Sequence, residues 1–312
     1  MILGFIFACY SVVGNDVIQT LGTFLASNNT RPWYVLWGFA ASILAAILVY
    51  GYFFNGGDMS YGRLDRIPYP ETIYWWYMLP PLVLLLITRV GIPVSTTFLI
   101  LSVFSTPDTI GDMVVKSVVG YLVAIVAAFA IYLAISKWVE RQFIHTTENE
   151  NDLRWLVAQW ASTGFLWSQW LIQDLANIYV YFPRKEELGL GAFLLSLVLL
   201  LGLLAYIFYQ GGGKIQQIVT SKTNVQDIRS ATFINVIYGI ILLVFKEANN
   251  LPMSTTWVFI GLLAGREIAM TWRLKHREMQ GMWRVILLDL GKTLAGLLVS
   301  VLLVFVLRFL AG

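Results

Sequence analysis

Two aspartates lie inside stretches of sequence that otherwise carry almost only apolar and uncharged residues. Asp16 belongs to the segment GNDVIQTLG, and Asp174 belongs to the segment LIQDLANIY. An ionised carboxylate is costly to bury in an apolar environment unless it is paired or has a function. The two aspartates are therefore the first candidates for residues that do chemistry.

Side-chain amides accompany both aspartates at spacings that fit a helix. Gln19 follows Asp16 by three positions, and Asn177 follows Asp174 by three positions, so each pair would share one helix face. Carboxylate and amide oxygens are ligands that suit a hard cation such as Na⁺. The predicted cation ligands are Asn15, Asp16, Gln19, Gln173, Asp174 and Asn177.

Two other interpretations of the buried aspartates stay open at the level of sequence. Either carboxylate, alone and desolvated, could bind a proton instead of Na⁺. The polar side chains could also do no more than join neighbouring helices by hydrogen bonds. The occurrence of the same cluster twice in one chain favours a function.

A second pair of polar clusters shares the pattern Pro-x-Ser-Thr-Thr followed by a large apolar residue. The first occurs in GIPVSTTFLI from residue 91, and the second occurs in NLPMSTTWVFI from residue 250. Pro93 and Pro252 suit the first turn of a helix, where a missing N–H costs nothing. The free N–H groups and the positive dipole end of such a helix favour an anion.

The hydroxyl groups of these clusters would add donors to the two helix N-termini. If the termini face each other inside a membrane, they could hold a small oxyanion without a full lysine or arginine charge. The simpler alternative is a kinked helix whose hydroxyls bond back to carbonyl groups one turn earlier. The predicted substrate-binding residues are Ser95, Thr96, Thr97, Ser254, Thr255, Thr256, Asp16 and Asp174.

The polar clusters recur at a nearly constant distance along the chain. Ser95 and Ser254 are 159 positions apart (254 − 95), and Asp16 and Asp174 are 158 positions apart (174 − 16). This agreement indicates that the chain contains two related structural units. The sequence leaves open whether the two units are parallel or inverted in the membrane.

The boundary between the two units is marked by a polar stretch near the middle of the chain. We predict a first transmembrane repeat over residues 1–139, a polar linker over residues 140–153, and a second repeat over residues 154–312. Lys116 of KSVVG and Lys292 of KTLAG occupy related places in the two units and could approach an anion.

The composition indicates that the elements holding these residues are membrane helices. Of the 312 residues, 58% are hydrophobic and only 12% are charged, whereas soluble domains carry about 25% charged residues. Uncharged runs at residues 32–54, 118–135 and 192–209 approach or exceed the roughly 20 residues that span a bilayer as a helix. Because lipid satisfies no backbone hydrogen bonds, we predict an all-α, multi-pass membrane protein.

Several other classes of protein lack support in the sequence. The net charge of +3 is small and dispersed, so nothing indicates a nucleic-acid partner, and the single cysteine, Cys9, excludes an internal disulfide. The GKT at residues 291–293 lacks the glycine that a P-loop requires, and no HExxH motif or nucleophile–base set is present. We expect neither enzymatic activity nor a cofactor. The basic segment 266–284 is predicted to be a cytoplasmic loop.

Four of these clusters resemble the motifs of a known family, the inorganic phosphate transporters (PiT family). GNDVIQTLGT (residues 14–23) and LIQDLANIYV (residues 171–180) resemble its duplicated signature G-A-N-D-V-A-N-x-x-G-T. PVSTTF (residues 93–98) and PMSTTW (residues 252–257) resemble its P-V-S-T-T-H motif. Because the clusters occur in the family's order and in both halves, the resemblance covers nearly the whole chain.

The resemblance implies an all-α membrane protein with two inverted repeats that contain discontinuous helices or re-entrant hairpins. It also implies a homodimer that carries phosphate by secondary symport with Na⁺ or H⁺. By position, the aspartates and amides would serve the ion and anion centre, and the serines and threonines would contact the anion. We expect such a protein in the inner membrane of a prokaryotic cell.

The chain also departs from the pattern of the family. Gln19 and Gln173 stand where asparagine is expected, and Phe98 and Trp257 replace the usual histidine. The chain is short for the family and lacks its large central loop. Sulfate or another oxyanion is therefore an alternative substrate, and an uncoupled anion channel or a non-transporting membrane sensor is an alternative function.

Overall fold

The computed structural model describes residues 2–72, 74–89, 94–135, 152–182, 188–213, 216–220, 227–274 and 279–311. Within these ranges every regular element is a helix and no β-strand occurs, as predicted. The linker predicted at residues 140–153 lies outside the described part of the chain except for its last two positions. There the Asp152 carboxylate accepts a hydrogen bond from the Arg154 N–H and caps the next helix.

The described part of the first half contains two long α-helices and four shorter ones. Two π-helical turns interrupt the helices, at Val13–Val17 between α1 and α2 and at Thr97–Leu101 before α5. The helices are α1 (Ile2–Val12), α2 (Ile18–Ser27), α3 (Trp33–Phe54), α4 (Leu79–Arg89), α5 (Ser102–Phe104) and α6 (Pro107–Ile135).

The second half of the chain has a similar order of long and interrupted helices. A single turn residue, Leu175, separates α7 from the short α8. The helices are α7 (Leu153–Asp174), α8 (Ala176–Tyr179), α9 (Leu190–Tyr209), α10 (Gln216–Thr220), α11 (Ile228–Ala248), α12 (Thr255–Leu274) and α13 (Met279–Ala311).

Six helices in the described residues are long and apolar enough to cross a membrane, which makes this an integral, multi-pass membrane protein. Many of their large apolar side chains point outward, where lipid would cover them, as Val126 on α6 and Phe305 on α13 do. The six spans are Ile2–Ser27, Trp33–Phe54, Pro107–Ile135, Leu190–Tyr209, Ile228–Ala248 and Met279–Leu307.

Helices from the two halves pack against each other through small residues. Gly261 and Gly265 of α12 lie so close to α6 that a Cβ atom on either would meet the backbone oxygen of Tyr121 or Ile125. Such four-residue spacing of glycines lets two helix backbones approach closely inside a membrane. Helix α13 of the second half also packs against the π-helical turn Thr97–Leu101 of the first half.

The other helix pairs also follow the predicted repeat. In the first half α1 packs against α4, and in the second half α7 packs against α11. The equivalent helices α3 and α9 pack directly against each other, and the Trp37 indole N–H donates a hydrogen bond to the Leu201 carbonyl across that contact at 3.1 Å.

The prediction of a basic loop at residues 266–284 is wrong for most of its length. Helices α12 and α13 together cover this segment except for residues 275–278, which lie outside the described residues. Arg266 is fully buried, where it donates a hydrogen bond to the Ser230 hydroxyl at 2.8 Å and lies 5.2 Å from the ring centre of Tyr132. The charges of this segment suggested exposure to solvent. The sequence did not reveal the burial of Arg266, because its partners Ser230 and Tyr132 are distant in sequence.

Candidate ion and anion site

The first aspartate lies in a helix interruption. A π-helical turn contains one residue more per turn than the α-helix, and such turns are frequent at functional sites. In the turn Val13–Val17, Asn15 and Asp16 are buried. The Asn15 side-chain N–H₂ donates to the Asp16 carboxylate at 2.7 Å and to the Val94 carbonyl at 2.7 Å. These bonds join α1 and α2 to the first Ser-Thr-Thr cluster.

The second aspartate lies at the end of a helix. Asp174 is the last residue of α7, and Asn177 lies in the following helix α8. The Asn177 side-chain N–H₂ donates to the Asp174 Oδ1 atom at 2.8 Å. This is the (i, i+3) pair predicted from the sequence, and both side chains are buried.

Each Ser-Thr-Thr cluster begins a helix and caps it. The hydroxyl oxygen of Ser95 accepts a hydrogen bond from the Phe98 N–H at 3.3 Å, and that of Ser254 accepts one from the Trp257 N–H at 3.3 Å. A serine that bonds to the N–H group three residues later is the standard N-cap arrangement. The predicted helix starts are therefore confirmed at both clusters.

The second of the two prolines is placed differently from the prediction. Pro252 lies outside the helix, since α12 begins three residues later at Thr255. The serine, and not the proline, therefore marks the boundary of this helix. Pro93 lies outside the described residues, so its predicted place in the first turn stays a prediction.

The two Ser-Thr-Thr clusters contact each other in a reciprocal way. The Thr97 hydroxyl donates to the Met253 carbonyl at 3.1 Å, and the Thr256 hydroxyl donates to the Val94 carbonyl at 3.3 Å. Residues 97 and 256 are 159 positions apart, and so are residues 94 and 253, so each pair consists of equivalent residues of the two halves. Such reciprocal contacts between equivalent residues are what a local two-fold relation produces.

The aromatic residues that follow the clusters also meet. The rings of Phe98 and Trp257, again 159 positions apart (257 − 98), lie edge to face with centroids 5.8 Å apart. The Trp257 indole N–H is buried and has no acceptor among the described residues. It is therefore an unused hydrogen-bond donor beside the second cluster.

The carboxylates reach these helix starts. The Thr96 hydroxyl donates a hydrogen bond to Asp16, and its equivalent Thr255 lies beside the carboxylate of Asp174. The two carboxylates also lie close enough to repel each other. The structure therefore brings two acidic side chains, Asp16 and Asp174, to two helix N-termini.

Four buried side-chain oxygens of the predicted cation ligands have no hydrogen-bond donor within the described residues. An acceptor that is buried without a donor is unfavourable unless something else satisfies it. A cation would satisfy several such oxygens at once, and a hard cation prefers oxygen ligands. The four atoms are Gln19 Oε1, Gln173 Oε1, Asp174 Oδ2 and Asn177 Oδ1.

The orientations of the three amides are fixed by what their nitrogens contact. The Asn177 nitrogen faces a carboxylate oxygen, and the Gln173 nitrogen donates to the Leu242 carbonyl at 2.9 Å. The Gln19 nitrogen donates at 3.3 Å to the Asn15 side-chain oxygen, and Asn15 is itself held by two acceptors. Turning any of these amides over would place oxygen against oxygen. The free atoms are therefore oxygens.

Two residues that the sequence patterns did not single out also support the site. The Ser117 hydroxyl of α6 accepts a hydrogen bond from the Ser254 N–H at 2.9 Å, and the Tyr238 hydroxyl of α11 donates to the Thr255 carbonyl at 2.9 Å. Both residues lie in largely apolar helices, and no sequence motif marked either of them as part of a site. Their contacts depend on which helices become neighbours.

A cavity of about 410 Å³ lies against the first helix interruption. Its lining includes Val13 and Gly14 of the π-helical turn, Thr88 of α4, and Leu203 of α9. Asn15 is the next residue along the chain from Gly14. The cavity therefore provides space next to the polar cluster.

Comparison with known proteins shows a likeness in fold. No protein-family model matches the chain, and no curated protein matches it. A solved structure described as "The sodium-dependent phosphate transporter" is similar over 99% of this chain and 98% of its own, with a TM-score of 0.59 and 17% sequence identity. The chain therefore has a transporter fold, which confirms the resemblance at the level of fold.

Proposed function

We propose that this protein is a secondary active symporter of inorganic phosphate that uses Na⁺ as the coupling ion. The shared fold with a sodium-dependent phosphate transporter supports the substrate class. The four donor-free oxygens at Gln19, Gln173, Asp174 and Asn177 are the observation that carries the choice of Na⁺. A proton would satisfy one of these oxygens, whereas a cation can coordinate several.

The cation would bind around the second helix interruption. Asp174 Oδ2 and Asn177 Oδ1 belong to side chains that already hydrogen-bond each other, so both free oxygens lie in one place. Asp16 uses both of its oxygens, since Asn15 donates to one and Thr96 donates to the other. We therefore assign Asp174 as the main Na⁺ ligand. Asn177, Gln173 and Gln19, whose side-chain oxygens are also free, would be further ligands, and Asn15 and Asp16 would position them.

The anion would bind between the two Ser-Thr-Thr clusters. The helix N-termini and the hydroxyls of Ser95, Ser254 and Thr255 would supply donors without a full positive charge. The hydroxyls of Thr96, Thr97 and Thr256 would join them by leaving the acceptors that they now contact. These clusters touch through reciprocal hydrogen bonds, so one anion can contact both. Weak, shared donors suit a transporter because the substrate must also be released.

The proximity of carboxylates and hydroxyls explains the coupling. The Thr96 hydroxyl donates to Asp16, and a divalent anion beside two bare carboxylates would be strongly repelled. Na⁺ bound at Asp174 would offset part of this negative charge, and the Thr96 hydroxyl would then turn from Asp16 to the anion. Anion and cation then bind favourably only together, as symport requires.

The transport movement would follow from an inverted repeat. We propose that residues 1–139 and 154–312 are inverted units, and that one interrupted helix pair moves against the rest to expose the site alternately. We also propose a homodimer in a prokaryotic inner membrane. Chemical crosslinking in the membrane and an analysis of mass in detergent would test the dimer.

Uptake into proteoliposomes tests this function. Labelled phosphate and labelled sulfate are offered separately under an inward Na⁺ gradient, an inward H⁺ gradient, and no gradient. We expect phosphate to accumulate only with the Na⁺ gradient. Accumulation driven by H⁺ alone would reassign the coupling ion, preference for sulfate would reassign the substrate, and gradient-independent flux would indicate a channel.

A further inference from the structure

Two basic side chains lie buried beside the segment that leads into the second Ser-Thr-Thr cluster. Arg63, from the loop after α3, is 0% exposed, and Lys116, from α6, is 8% exposed. They lie close enough to repel each other. In the described ranges neither of them forms an ion pair with a carboxylate. A buried charged group that touches no counter-charge directly is unfavourable unless an anion binds to it.

Neutral carbonyl groups hold both cations in place. The Lys116 ammonium donates to the Asn249 backbone oxygen at 3.1 Å, to the Asn249 side-chain oxygen at 2.6 Å, and to the Leu251 carbonyl at 2.7 Å. Arg63 Nη1 donates to the Asn249 carbonyl at 2.9 Å and to the Leu251 carbonyl at 3.5 Å. These bonds fix the positions of the cations and supply no negative charge.

One edge of the Arg63 guanidinium is left without a partner. Its Nε and Nη2 atoms are buried and have no acceptor in the part of the chain that the structure describes. The N–H groups on this edge are parallel, which matches two oxygens of a carboxylate or phosphate. Burial lowers the pKa of Arg63 to about 10, so the side chain is still protonated at neutral pH.

The loop that carries Arg63 is built to bring it to this place. The Asp58 carboxylate accepts hydrogen bonds from the Ser60 N–H at 2.7 Å and from the Gly62 N–H at 2.6 Å. Gly62 has a φ of +76°, and a Cβ atom there would lie 2.8 Å from the Asn250 side-chain nitrogen. The backbone next to Arg63 therefore needs glycine to approach residues 249–251.

We propose that Arg63, supported by Lys116, forms a second binding position for the transported oxyanion beside the Ser-Thr-Thr interface. This inference rests on the proposed transport function. The Nε–Nη2 edge would bind two oxygens of a doubly charged tetrahedral anion such as hydrogen phosphate, and Lys116 would add charge. Arg63 also lies within electrostatic reach of Asp174, so an anion at Arg63 and Na⁺ at Asp174 would attract each other.

Direct binding to the purified full chain tests this position. The rise in melting temperature is measured as inorganic phosphate is titrated in the presence of Na⁺, with chloride at matched ionic strength as the blank. We expect Arg63→Gln to weaken the apparent phosphate affinity at least about tenfold, and Arg63→Lys to weaken it less, because lysine keeps the charge and loses the parallel donors. Arg66→Gln should leave it unchanged, because Arg66 is exposed and paired with Asp112 at 2.6 Å.

The outcomes separate this site from the transport function. If Arg63→Gln lowers the melting temperature but leaves the phosphate affinity intact, the arginine is only structural and the proposal fails, whatever the uptake assay shows. If Arg63→Gln does not fold, an unchanged affinity in Arg63→Lys overturns the proposal in the same way. If wild-type protein takes up no phosphate yet binds it through Arg63, the transport function fails and the site stands.

Discussion

At the scale of single residues, the two aspartates differ in how their oxygens are used. Both oxygens of Asp16 accept hydrogen bonds, whereas Asp174 Oδ2 accepts none from the described residues. A carboxylate oxygen without a donor is the better ligand for a cation, because binding breaks no hydrogen bond. The sequence could not rank the two aspartates, since the same residue types surround both.

The variant Asp174→Asn tests this ranking. It keeps the size of the side chain and removes the charge that would face Na⁺. We expect the Na⁺ concentration for half-maximal phosphate uptake to rise at least about tenfold, from the loss of roughly 1.5–3 kcal/mol of charged interaction. The control is Asp112→Asn, an exposed residue paired with Arg66. Unchanged Na⁺ dependence in Asp174→Asn would remove this residue from the ion site.

The unused donor of Trp257 leads to a second prediction. Trp257→Phe keeps an aromatic ring against Phe98 and removes the buried indole N–H. If that group donates to the bound anion, phosphate affinity should fall about three- to tenfold, the value of roughly one hydrogen bond. Na⁺ affinity should change little. Trp283→Phe on the exposed face of α13 is the matched control. Equal phosphate affinities in both variants would contradict the assignment.

At the scale of elements, the interruptions in the helices matter more than the helices themselves. A π-helical turn presents Asp16, a turn residue follows Asp174, and a serine cap starts α12 at the second Ser-Thr-Thr cluster. In an uninterrupted helix the backbone N–H groups are hydrogen-bonded to carbonyl groups of the same helix. Only breaks in the helix therefore leave backbone N–H and C=O groups free to bind an ion inside a membrane.

The contact between α6 and α12 should be sensitive to a single methyl group. A Cβ atom at Gly265 would lie 2.2 Å from the Ile125 backbone oxygen. Gly265→Ala must therefore push the helices apart, and we expect a loss of about 1–3 kcal/mol in stability. Because α12 begins at Thr255, phosphate affinity should fall as well. Melting temperature and phosphate titration measure the two effects.

Gly111→Ala provides the control for that experiment. Gly111 lies in α6, and a Cβ atom there would meet no other atom within 4 Å. Alanine favours helix over glycine by up to about 1 kcal/mol, so this variant should be neutral or slightly more stable. If both glycine variants behave alike, close packing of α6 on α12 is not important for stability.

At the scale of the whole molecule, the reciprocal contacts indicate a two-fold relation between the halves. Thr97 and Thr256 each donate to the carbonyl before the opposite cluster, and Phe98 meets its equivalent Trp257. A two-fold axis in the plane of the membrane would make the repeats inverted, whereas an axis along its normal would make them parallel.

Labelling of single cysteines distinguishes the two arrangements. Asn29, after α2, and Gly189, just before α9, lie at closely corresponding places in the two halves and are both exposed. Inverted repeats predict that Asn29→Cys and Gly189→Cys react with a membrane-impermeant maleimide from opposite sides. The natural Cys9 is buried and should give little background. Reaction of both from the same side would contradict inversion.

The sequence by itself determined the class of the protein and the position of its polar centres. Charged and amide residues are rare in membrane helices, so Asp16, Asp174 and the two Ser-Thr-Thr clusters stood out against their surroundings. Their nearly constant offset indicated the repeat. A rare polar residue and a constant offset between motifs can both be read from one sequence, because neither depends on how the helices pack.

Only the tertiary structure decided which groups are satisfied and which are free. Arg63 reaches Asn249 across 186 positions, and Arg266 is buried against Ser230, although the sequence suggested a solvated loop. The free oxygen of Asp174 and the free edge of Arg63 likewise depend on every neighbour around them. Hydrogen-bond satisfaction is a property of packed helices, because partners distant in sequence supply or withhold the matching group.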